Sequence, residues 1–452
     1  MLSIVVLTVF ATIVLYLGFF KNRNIIVPVA LIGIFIALFC LISKQSLWNN
    51  WFMNMMSIEG PSRIFSILIL STTACLLPFI NVFRARGSEE VADFSGILLF
   101  SIIGGLMMVS FSDLMILFLG LEILSIAMYI LAGADRKKIK SNEASIKYFL
   151  LGAFASAILL FGIATYYAST GTFRLDTQVI HSSALINLSY LLLFSGLAFK
   201  VALVPFHFWA PDVYEGTPTV FTATMATVVK ISAFGAMFQF IFYCGSNMAD
   251  WLYWLLSIVA LASILVGNIM ALTQHSVKRL LAYSGIVQAG FILIGFLQFR
   301  LENSWMILYY LIAYTSASLV LFLGSYFVEE QSGTDDQSAF KGLYYNNPFL
   351  AIVLSIALIS LGGGPLTAGF MAKLFVLNNA AQSGNIVLVI FALILAVLSL
   401  VYYFRIINLM FTKTNEERKW QIDFSYRSIL SLLSIGTIVA GIIPYLLVNL
   451  LK

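Results

Sequence analysis

The sequence predicts an all-α polytopic membrane protein with about 14 transmembrane helices, two of which are broken inside the membrane. Hydrophobic residues make up 61% of the 452 residues and charged residues only 10%, whereas soluble domains carry roughly 25% charged residues. The mean hydropathy is +0.99. Long apolar runs separated by short polar linkers recur along the whole chain, which excludes a soluble domain of any size.

Runs of about 18 to 25 apolar residues are long enough to cross the hydrocarbon core as helices. We number them helix 1 to helix 14. They lie at about 2–20, 25–42, 64–83, 91–111, 113–133, 145–168, 189–209, 217–243, 251–273, 279–299, 304–328, 348–380, 384–411 and 428–450. The first run lacks a basic region and a small-residue cleavage site, so we expect a retained membrane helix and not a signal peptide.

Basic residues are distributed unevenly among the linkers. Linkers after odd-numbered helices hold about 15 Lys and Arg residues, and those after even-numbered helices, with the C-terminus, hold about five. Because cytoplasmic loops are enriched in Lys and Arg, the odd linkers are predicted to be cytoplasmic. Both termini are then expected on the outside.

Two helices carry internal breaks. Helix 7 is interrupted at Pro205, and helix 12 at Gly363, Gly364 and Pro365 within "LGGGPLTAG". This glycine run lacks the spacing of a phosphate-binding loop, so we interpret it as a flexible break. The two broken helices are five helices apart and cross the membrane in opposite directions. Such pairs are typical of inverted-repeat transporters with a site at mid-membrane depth.

Four charged residues fall deep within the apolar runs: Glu122, Lys200, Lys230 and Lys373. An uncompensated charge at the bilayer centre costs roughly 2.5–3.5 kcal/mol, so the four together cost on the order of 10 kcal/mol. A purely structural role remains open for each of them, as a neutral carboxylate, a static ion pair or a partner of backbone carbonyls. The size of the cost favours a function.

Glu122 and Lys200 lie in the middle of helix 5 and about 12 residues into helix 7. A carboxylate among Leu and Ile must be neutral or have a cation nearby, and Lys200 is the obvious cation. We expect Lys200 to hold its proton while Glu122 is close. Burial favours the neutral amine, so Lys200 is expected to release the proton when Glu122 moves away.

His207 follows Lys200 by seven residues, roughly 10.5 Å along an ideal helix. Pro205 lies between them and breaks that ideal geometry, since it lacks a backbone N–H. The range in which histidine titrates favours a proton relay through His207 over a merely hydrogen-bonded core residue. Lys147, near the cytoplasmic end of helix 6, is a candidate for proton uptake, with snorkelling to the membrane surface as an equal alternative.

Metal and redox sites are not indicated. The other histidines, His181 and His275, lie in or near linkers, and the three cysteines form no CxxC pair. The residues alone therefore indicate a helical ion translocator with a row of Glu, Lys and His and no redox cofactor. We expect the ion to be H⁺, because lysines repel Na⁺ and no carboxylate cluster is present to coordinate it.

Five blocks of the sequence resemble a known family. They are "LFLGLEILSIAMYILAG", "EASIKYFLLGAFASAILLFGIATYYASTGT", "GLAFKVALVPFHFWAPDVYEGTPT", "SVKRLLAYSGIVQAG" and "GGGPLTAGFMAKLFV". They resemble the antiporter-like membrane-arm subunits of respiratory NADH–quinone oxidoreductase (complex I), most of all the N type, which is called subunit 2 in mitochondria. The resemblance covers roughly residues 90 to 410. Several blocks are shared with subunits L and M and with multisubunit cation/proton antiporters.

The resemblance implies two inverted five-helix repeats, with domains at 1–90 (helices 1–3), 91–245 (helices 4–8), 246–412 (helices 9–13) and 413–452 (a cytoplasmic linker and helix 14). It also implies a proton relay whose members match family positions: Glu122 in helix 5, Lys200 in helix 7, His207 in the "PFHFW" block, Lys230 in helix 8 and Lys373 in helix 12. A lysine at 373 fits subunit N or L, whereas an M type more often has Glu. We do not expect the long lateral helix of an L subunit in this chain.

Two departures from the family pattern stand out. Helix 12 reads "GGGPLTAGF" where relatives often read closer to "GIPPTAGF", so a softer break is expected. Gln288 stands where many relatives have histidine, so this link is expected to be polar or water-bridged.

The resemblance implies a proton-translocating, non-redox subunit of the enzyme in the bacterial cytoplasmic (inner) membrane. No cofactor or metal is expected in this chain; NAD, flavin, iron–sulfur clusters and quinone belong to partner subunits. The implied partners are the adjacent subunit M, small subunits such as K, the lateral helix of subunit L and the lipid bilayer, with no nucleic acid. A cation/proton antiporter subunit is one alternative. A membrane scaffold, whose buried charges only lock helices together, is another.

Overall fold

The computed structural model describes residues 2–20, 23–43, 54–85, 90–175, 184–244, 250–297, 303–413 and 419–451. Within these ranges the protein is almost entirely α-helical, and 11 helices are long and apolar enough to cross a membrane. Three shorter apolar helices, Leu2–Leu17, Ile26–Ile42 and Pro348–Gly362, account for helix 1, helix 2 and the first part of helix 12. The prediction of an all-α fold with about 14 membrane helices is confirmed.

The remaining helices have the following bounds. Helices 3 to 6 are Pro61–Phe83, Val91–Ser110, Leu114–Ala132 and Ile139–Thr170. Helix 7 consists of Ala184–Val201 and Trp209–Gly216, and helix 8 is Thr219–Tyr243. Helices 9 to 11 are Asp250–Leu272, Val277–Ile294 and Ser304–Ser332. The second part of helix 12 is Ala368–Gln382, helix 13 is Ile386–Phe411, and helix 14 begins as Phe424–Ile442.

The chain forms two compact units. The first contains helices 1 to 6, the part of helix 7 that ends at Val201, and helix 8 from Gly216 onward. The second contains Ala202–Glu215 and helices 9 to 14. The chain therefore changes unit inside helix 7, directly after Val201 and one residue beyond Lys200. The division into inverted repeats stays a prediction.

Helix 7 breaks earlier than the proline indicates. Its first part ends at Val201, Ala202 has a left-handed φ of +61°, and helical structure resumes only at Trp209. The peptide bond between Val204 and Pro205 is cis. The predicted interruption between Lys200 and His207 is therefore confirmed, because a left-handed residue and a residue without an N–H end the helix.

Helix 14 is also broken, which the sequence analysis missed. It ends at Ile442, and a second helix, Pro444–Leu451, follows. Pro444 lacks a backbone N–H, and the α-conformation is disfavoured for the residue before a proline. Ile443 accordingly leaves the helical region. Pro444 is visible in the sequence, but it lies within a long apolar run, which predicted one continuous helix.

Small residues allow close helix packing in the first unit. A Cβ added to Gly104 of helix 4 would lie 2.6 Å from the carbonyl oxygen of Gly120 in helix 5. Close backbone approach at small residues is a main source of helix association in membranes. Helix 5 is further fixed at its start, where the Asp113 side chain accepts a 2.8 Å hydrogen bond from the Met115 amide. These contacts set the position of Glu122.

Candidate functional site

Glu122 lies on the packed side of helix 5 and is half-buried. Its Oε1 atom is fully buried and has no hydrogen-bond partner among the residues that the structure describes. A buried acceptor without a partner costs about 1–3 kcal/mol or more when it is charged. The carboxyl group is thus available for a proton or for a mobile cation.

Lys200 is the penultimate residue of the first part of helix 7 and is only 1% exposed. Its Nζ lies 5.3 Å from the ring centroid of Tyr129 and 5.3 Å from that of Tyr148. Cation–π contacts of this kind contribute roughly 0.5–2 kcal/mol each. We call Lys200, Tyr129 and Tyr148 the lysine–tyrosine cluster. In this cluster the faces of the two tyrosine rings stabilise the Lys200 ammonium group.

Glu122 and Lys200 lie in the same unit, in helix 5 and in the first part of helix 7. Within the described ranges, however, no direct ion pair or hydrogen bond joins them, and the Lys200 Nζ has no hydrogen-bond partner. Each of the two side chains thus has a buried polar atom without a hydrogen-bond partner among the described residues. A move of either side chain towards the other would satisfy two buried polar atoms at once.

The two tyrosines were missed by sequence reasoning. Their rings meet edge-to-face, with centroids 4.8 Å apart. Tyr129 follows Glu122 by seven residues, two turns along the same helix face, and this spacing was a usable signal. Gly152 of helix 6 leaves room for the phenol, because an added Cβ would lie 2.0 Å from the Tyr129 hydroxyl oxygen.

Lys230 also lies in the first unit and is 1% exposed. It directly follows a π-helical segment, Met225–Val229, which interrupts the α-helix. Single π-helical turns are rare and occur frequently at functional sites. The surrounding face is polar but buried: Thr227 donates to the Ala223 carbonyl at 2.6 Å and Ser232 to the Val228 carbonyl at 2.9 Å.

Lys147 directly precedes Tyr148 of the lysine–tyrosine cluster, but it is far more exposed than the fully buried Tyr148. Its side chain is 41% exposed and forms a 2.6 Å ion pair with Glu143, four residues earlier on helix 6. Exposed pairs of this spacing contribute about 0.3–0.5 kcal/mol. A role in proton uptake stays a prediction.

His207 belongs to the second unit and is 7% exposed. Its ring packs against that of Phe208, with centroids 4.4 Å apart. The segment is held at its start by a 3.0 Å hydrogen bond from the Val204 amide to the Ser263 hydroxyl.

The second part of helix 7 is held in the second unit by charge. Arg279 at the start of helix 10 donates from Nη1 to Asp212 Oδ1 at 2.7 Å and to Glu215 Oε2 at 2.9 Å. These charge-assisted contacts are stronger than neutral hydrogen bonds. They fix the short helix that follows His207.

Lys373 sits at the break in helix 12 and is 6% exposed. Its Nζ donates to the carbonyl oxygens of Leu361 and Gly362, at 2.8 and 3.1 Å, and lies 5.0 Å from the ring centroid of Phe291. Leu361 and Gly362 end the first part of the helix, where the macrodipole favours a cation. Lys373 is therefore stabilised without a carboxylate.

The break itself is well defined. Gly363 has a left-handed φ of +82°, its amide donates to the Ser360 carbonyl at 3.0 Å, and the Gly364 amide donates to the Ile359 carbonyl at 2.8 Å. This pair of bonds is a Schellman motif. A Cβ on Gly363 would also lie 3.1 Å from Lys373 Cδ, so glycine here serves both the turn and the lysine. Two specific hydrogen bonds therefore define the end of the first part of helix 12. The expectation of a softer break stays a prediction.

Gln288 connects three helices at the same place. Its Nε2 donates to the Leu361 carbonyl at 2.9 Å, and its Oε1 accepts from the Tyr310 hydroxyl at 2.6 Å. We call Lys373, Leu361, Gln288 and Tyr310 the carbonyl network. A polar link was expected at Gln288; Tyr310 was missed, because an isolated tyrosine in an apolar run carries no pattern.

Known proteins share this arrangement of helices. Residues 111–399 match the family model described as NADH:quinone oxidoreductase/Mrp antiporter, TM. The chain is 38% identical to NADH-quinone oxidoreductase subunit N of Flavobacterium psychrophilum, over 96% of each chain. It is 37% identical to the subunit N of Cytophaga hutchinsonii, over 99% of each chain. The chain belongs to the subunit N family of NADH-quinone oxidoreductases.

A solved structure agrees with this membership. The respiratory complex I of Thermus thermophilus contains a chain that is 30% identical, with a TM-score of 0.84, covering 99% of this chain and 98% of that one. The predicted resemblance to the antiporter-like subunit N is confirmed. As a member of the subunit N family the protein is a multi-pass membrane protein.

Proposed function

We propose that this chain is the proton-translocating membrane-arm subunit N of a bacterial NADH–quinone oxidoreductase. One observation carries the proposal: three lysines, Lys200, Lys230 and Lys373, are 1%, 1% and 6% exposed within membrane helices. A charge at such a position costs roughly 2.5–3.5 kcal/mol. In a proton carrier this cost has a use, because the free energy needed to bury a charged lysine favours release of its proton.

In the proposed mechanism the chain carries no electrons. NAD, flavin, iron–sulfur clusters and quinone would belong to partner subunits, and quinone reduction there would move Glu122 relative to Lys200. When Glu122 withdraws, the buried Lys200 releases its proton, and His207 and Lys230 pass a proton on towards Lys373. The carbonyls of Leu361 and Gly362 hold Lys373 in its charged form, which suits a final proton acceptor.

The energy scale fits this scheme. Each 100 mV of membrane potential opposes the movement of one charge by about 2.3 kcal/mol. Making or breaking one buried ion pair is worth several kcal/mol when the partner is left uncompensated. A single Glu122–Lys200 contact is therefore sufficient to gate one proton.

The setting of the subunit follows from the same proposal. Subunit M and small subunits such as K would be its neighbours, and the lateral helix of subunit L would run along it. The cytoplasmic membrane of a bacterium would be its location, with both termini outside, as the Lys and Arg bias of the linkers indicates.

The variant Lys200→Ala, made in the native organism, tests the function. NADH-driven proton uptake is measured in inverted membrane vesicles, and assembly of the complex is checked in the same preparation. We expect uptake to be lost while assembly is retained. Lys341→Ala is the control, since that lysine is exposed and lies outside the proposed relay, and it is expected to change uptake by less than about twofold.

A cation/proton antiporter subunit is the second candidate, because the matching family model covers Mrp antiporters as well. It predicts unchanged NADH-driven uptake in Lys200→Ala together with lost tolerance to sodium or alkali. The scaffold alternative predicts a complex that does not assemble. Each outcome of the vesicle experiment selects one of the three.

A further inference from the structure

A surface cavity of about 750 Å³ lies in the second unit, at the ends of helices 12 and 14. Its walls come from the segment before helix 12, the start of that helix, and the segment that leads into helix 14. The residues that matter here are Tyr344, Asn347, Phe349, Lys419, Trp420 and Arg427. Its volume is in the usual range for small-molecule sites. The proton relay makes no use of it.

The cavity is held open by specific contacts. Asn347 Nδ2 donates to the Trp420 carbonyl at 3.1 Å, which fixes the segment before helix 14 against the start of helix 12. The same side chain caps helix 12, with its Oδ1 accepting from the Leu350 amide at 3.0 Å. One residue thus orders two walls.

The cavity is electropositive. Arg427 lies in the first turn of helix 14, with its guanidinium carbon 4.7 Å from the ring centroid of Phe349, and Lys419, which also lines the cavity, is exposed. A guanidinium that stacks on a ring can still present its N–H edge to a phosphate. Helices 12 and 14 both begin here, so two helix N-termini add partial positive charge. The nearby carboxylate, Asp423, is not part of the wall.

Its position is that of a membrane interface. Trp and Tyr concentrate where helices leave the bilayer, and Trp420 and Tyr344 both face the cavity. Tyr344 stacks on Phe411, the last residue of helix 13, with centroids 4.9 Å apart. Phe404 and Val397 lie one and two heptads earlier on that helix and are 53% and 66% exposed. An apolar track therefore leads from the cavity along helix 13.

We propose that this cavity binds the phosphate headgroup of an anionic phospholipid, with an acyl chain lying along Phe404 and Val397. Basic pockets at the cytoplasmic ends of membrane helices suit such headgroups. The sequence predicts these linkers to be cytoplasmic, where anionic lipids face them. The proposal is independent of proton translocation.

The assembled complex, purified in a neutral detergent, is mixed with phosphatidylglycerol that carries a photoactivatable group in its acyl chain. After irradiation, labelled peptides of this chain are identified by mass spectrometry. We expect labelling of helix 13. The double variant Lys419→Gln, Arg427→Gln should lower it by at least about tenfold, because two charge-assisted contacts to the phosphate are lost.

Three controls decide the result. Lys341→Gln removes an exposed cation on the same side but outside the cavity, and should leave labelling unchanged. Phosphatidylcholine with the same photoactivatable chain should label far less. Lys419→Gln alone, a change in an exposed non-helical segment, gives an assembled variant with intermediate labelling even if the double variant does not assemble. Equal labelling in Lys419→Gln, equal labelling by phosphatidylcholine, or full competition by inorganic phosphate would each overturn the proposal.

Discussion

Lys373 and Gln288 donate to the same atom: the carbonyl oxygen of Leu361 accepts from Lys373 Nζ at 2.8 Å and from Gln288 Nε2 at 2.9 Å. One residue follows the break in helix 12 and the other lies in helix 10. The carbonyl freed by the break is thus the meeting point of a cation and an amide. Proton occupancy of Lys373 and the hydrogen bonds of Gln288 are therefore expected to depend on each other.

Gln288→Leu should weaken the second unit. The change leaves the Tyr310 hydroxyl without its acceptor and the Leu361 carbonyl with one donor fewer, at a cost of about 1–3 kcal/mol. We expect a lower midpoint for thermal loss of assembled complex in detergent and reduced NADH-driven proton uptake. Gln288→His, which can both donate and accept, should keep most of both; equal losses in the two variants would contradict the role given to the carbonyl network.

Lys373→Met should remove proton uptake with little loss of assembly. Methionine fills a similar volume, and the Leu361 carbonyl keeps Gln288 as a donor. Uptake in inverted vesicles is expected to fall at least about tenfold, which corresponds to a barrier increase of ~1.4 kcal/mol. The control Lys373→Arg retains the cation at the helix end and should keep the complex stable. Full uptake in the methionine variant would exclude Lys373 from the relay.

Glu122→Gln keeps the shape of the side chain but removes the charge that acts on Lys200. Without the carboxylate, nothing in the proposed mechanism triggers proton release from Lys200, so we expect proton uptake to fall about tenfold relative to NADH oxidation at unchanged complex content. The measurement is the ratio of protons taken up to NADH oxidised. If that ratio equals the wild-type value, the Glu122–Lys200 contact is not the gate.

Gly152→Val tests the lysine–tyrosine cluster without touching a charge. The new side chain would occupy the place of the Tyr129 hydroxyl, so the ring must leave Lys200. Overpacking of this kind costs typically 1–3 kcal/mol, and we expect slower proton uptake together with a lower thermal midpoint. Gly436→Val is the matched control, because an added Cβ there meets no atom within 4 Å. Similar effects at both positions would count against the cluster.

The predicted orientation can be tested with single cysteines at exposed sites. Lys137→Cys lies in the linker after helix 5 and Ser383→Cys in the linker after helix 12, and both residues are exposed. A membrane-impermeant maleimide applied to whole cells should label position 383, and position 137 only after the membrane is opened. The reverse pattern would place both termini in the cytoplasm.

Hydropathy was sufficient for the number of helices and for the position of the buried charges, because the bilayer imposes length and polarity on every span. It was not sufficient for contacts between helices. Tyr310 looks like an ordinary aromatic residue in its run, and only the fold brings it to Gln288. Tyr129 shares a helix face with Glu122, but the sequence does not show that it contacts Lys200. The early end of helix 7 at Val201 was missed because no sequence pattern indicates a left-handed φ at an alanine such as Ala202. Glycine adopts a left-handed φ readily, so Gly363 did indicate the turn in helix 12.

The π-helical turn at Met225–Val229 has a consequence for how helix 8 evolved and how it tolerates length changes. A π turn is geometrically an α-helix with one residue inserted, and each residue of an α-helix advances the rotation by about 100°. Deleting one of the five residues would restore a regular helix and turn everything before it by that angle relative to Lys230. The threonine side chains before the deletion and Lys230 would then face different neighbours than they do now. In helix 8 the number of residues, and not only their types, therefore determines which partners Lys230 meets.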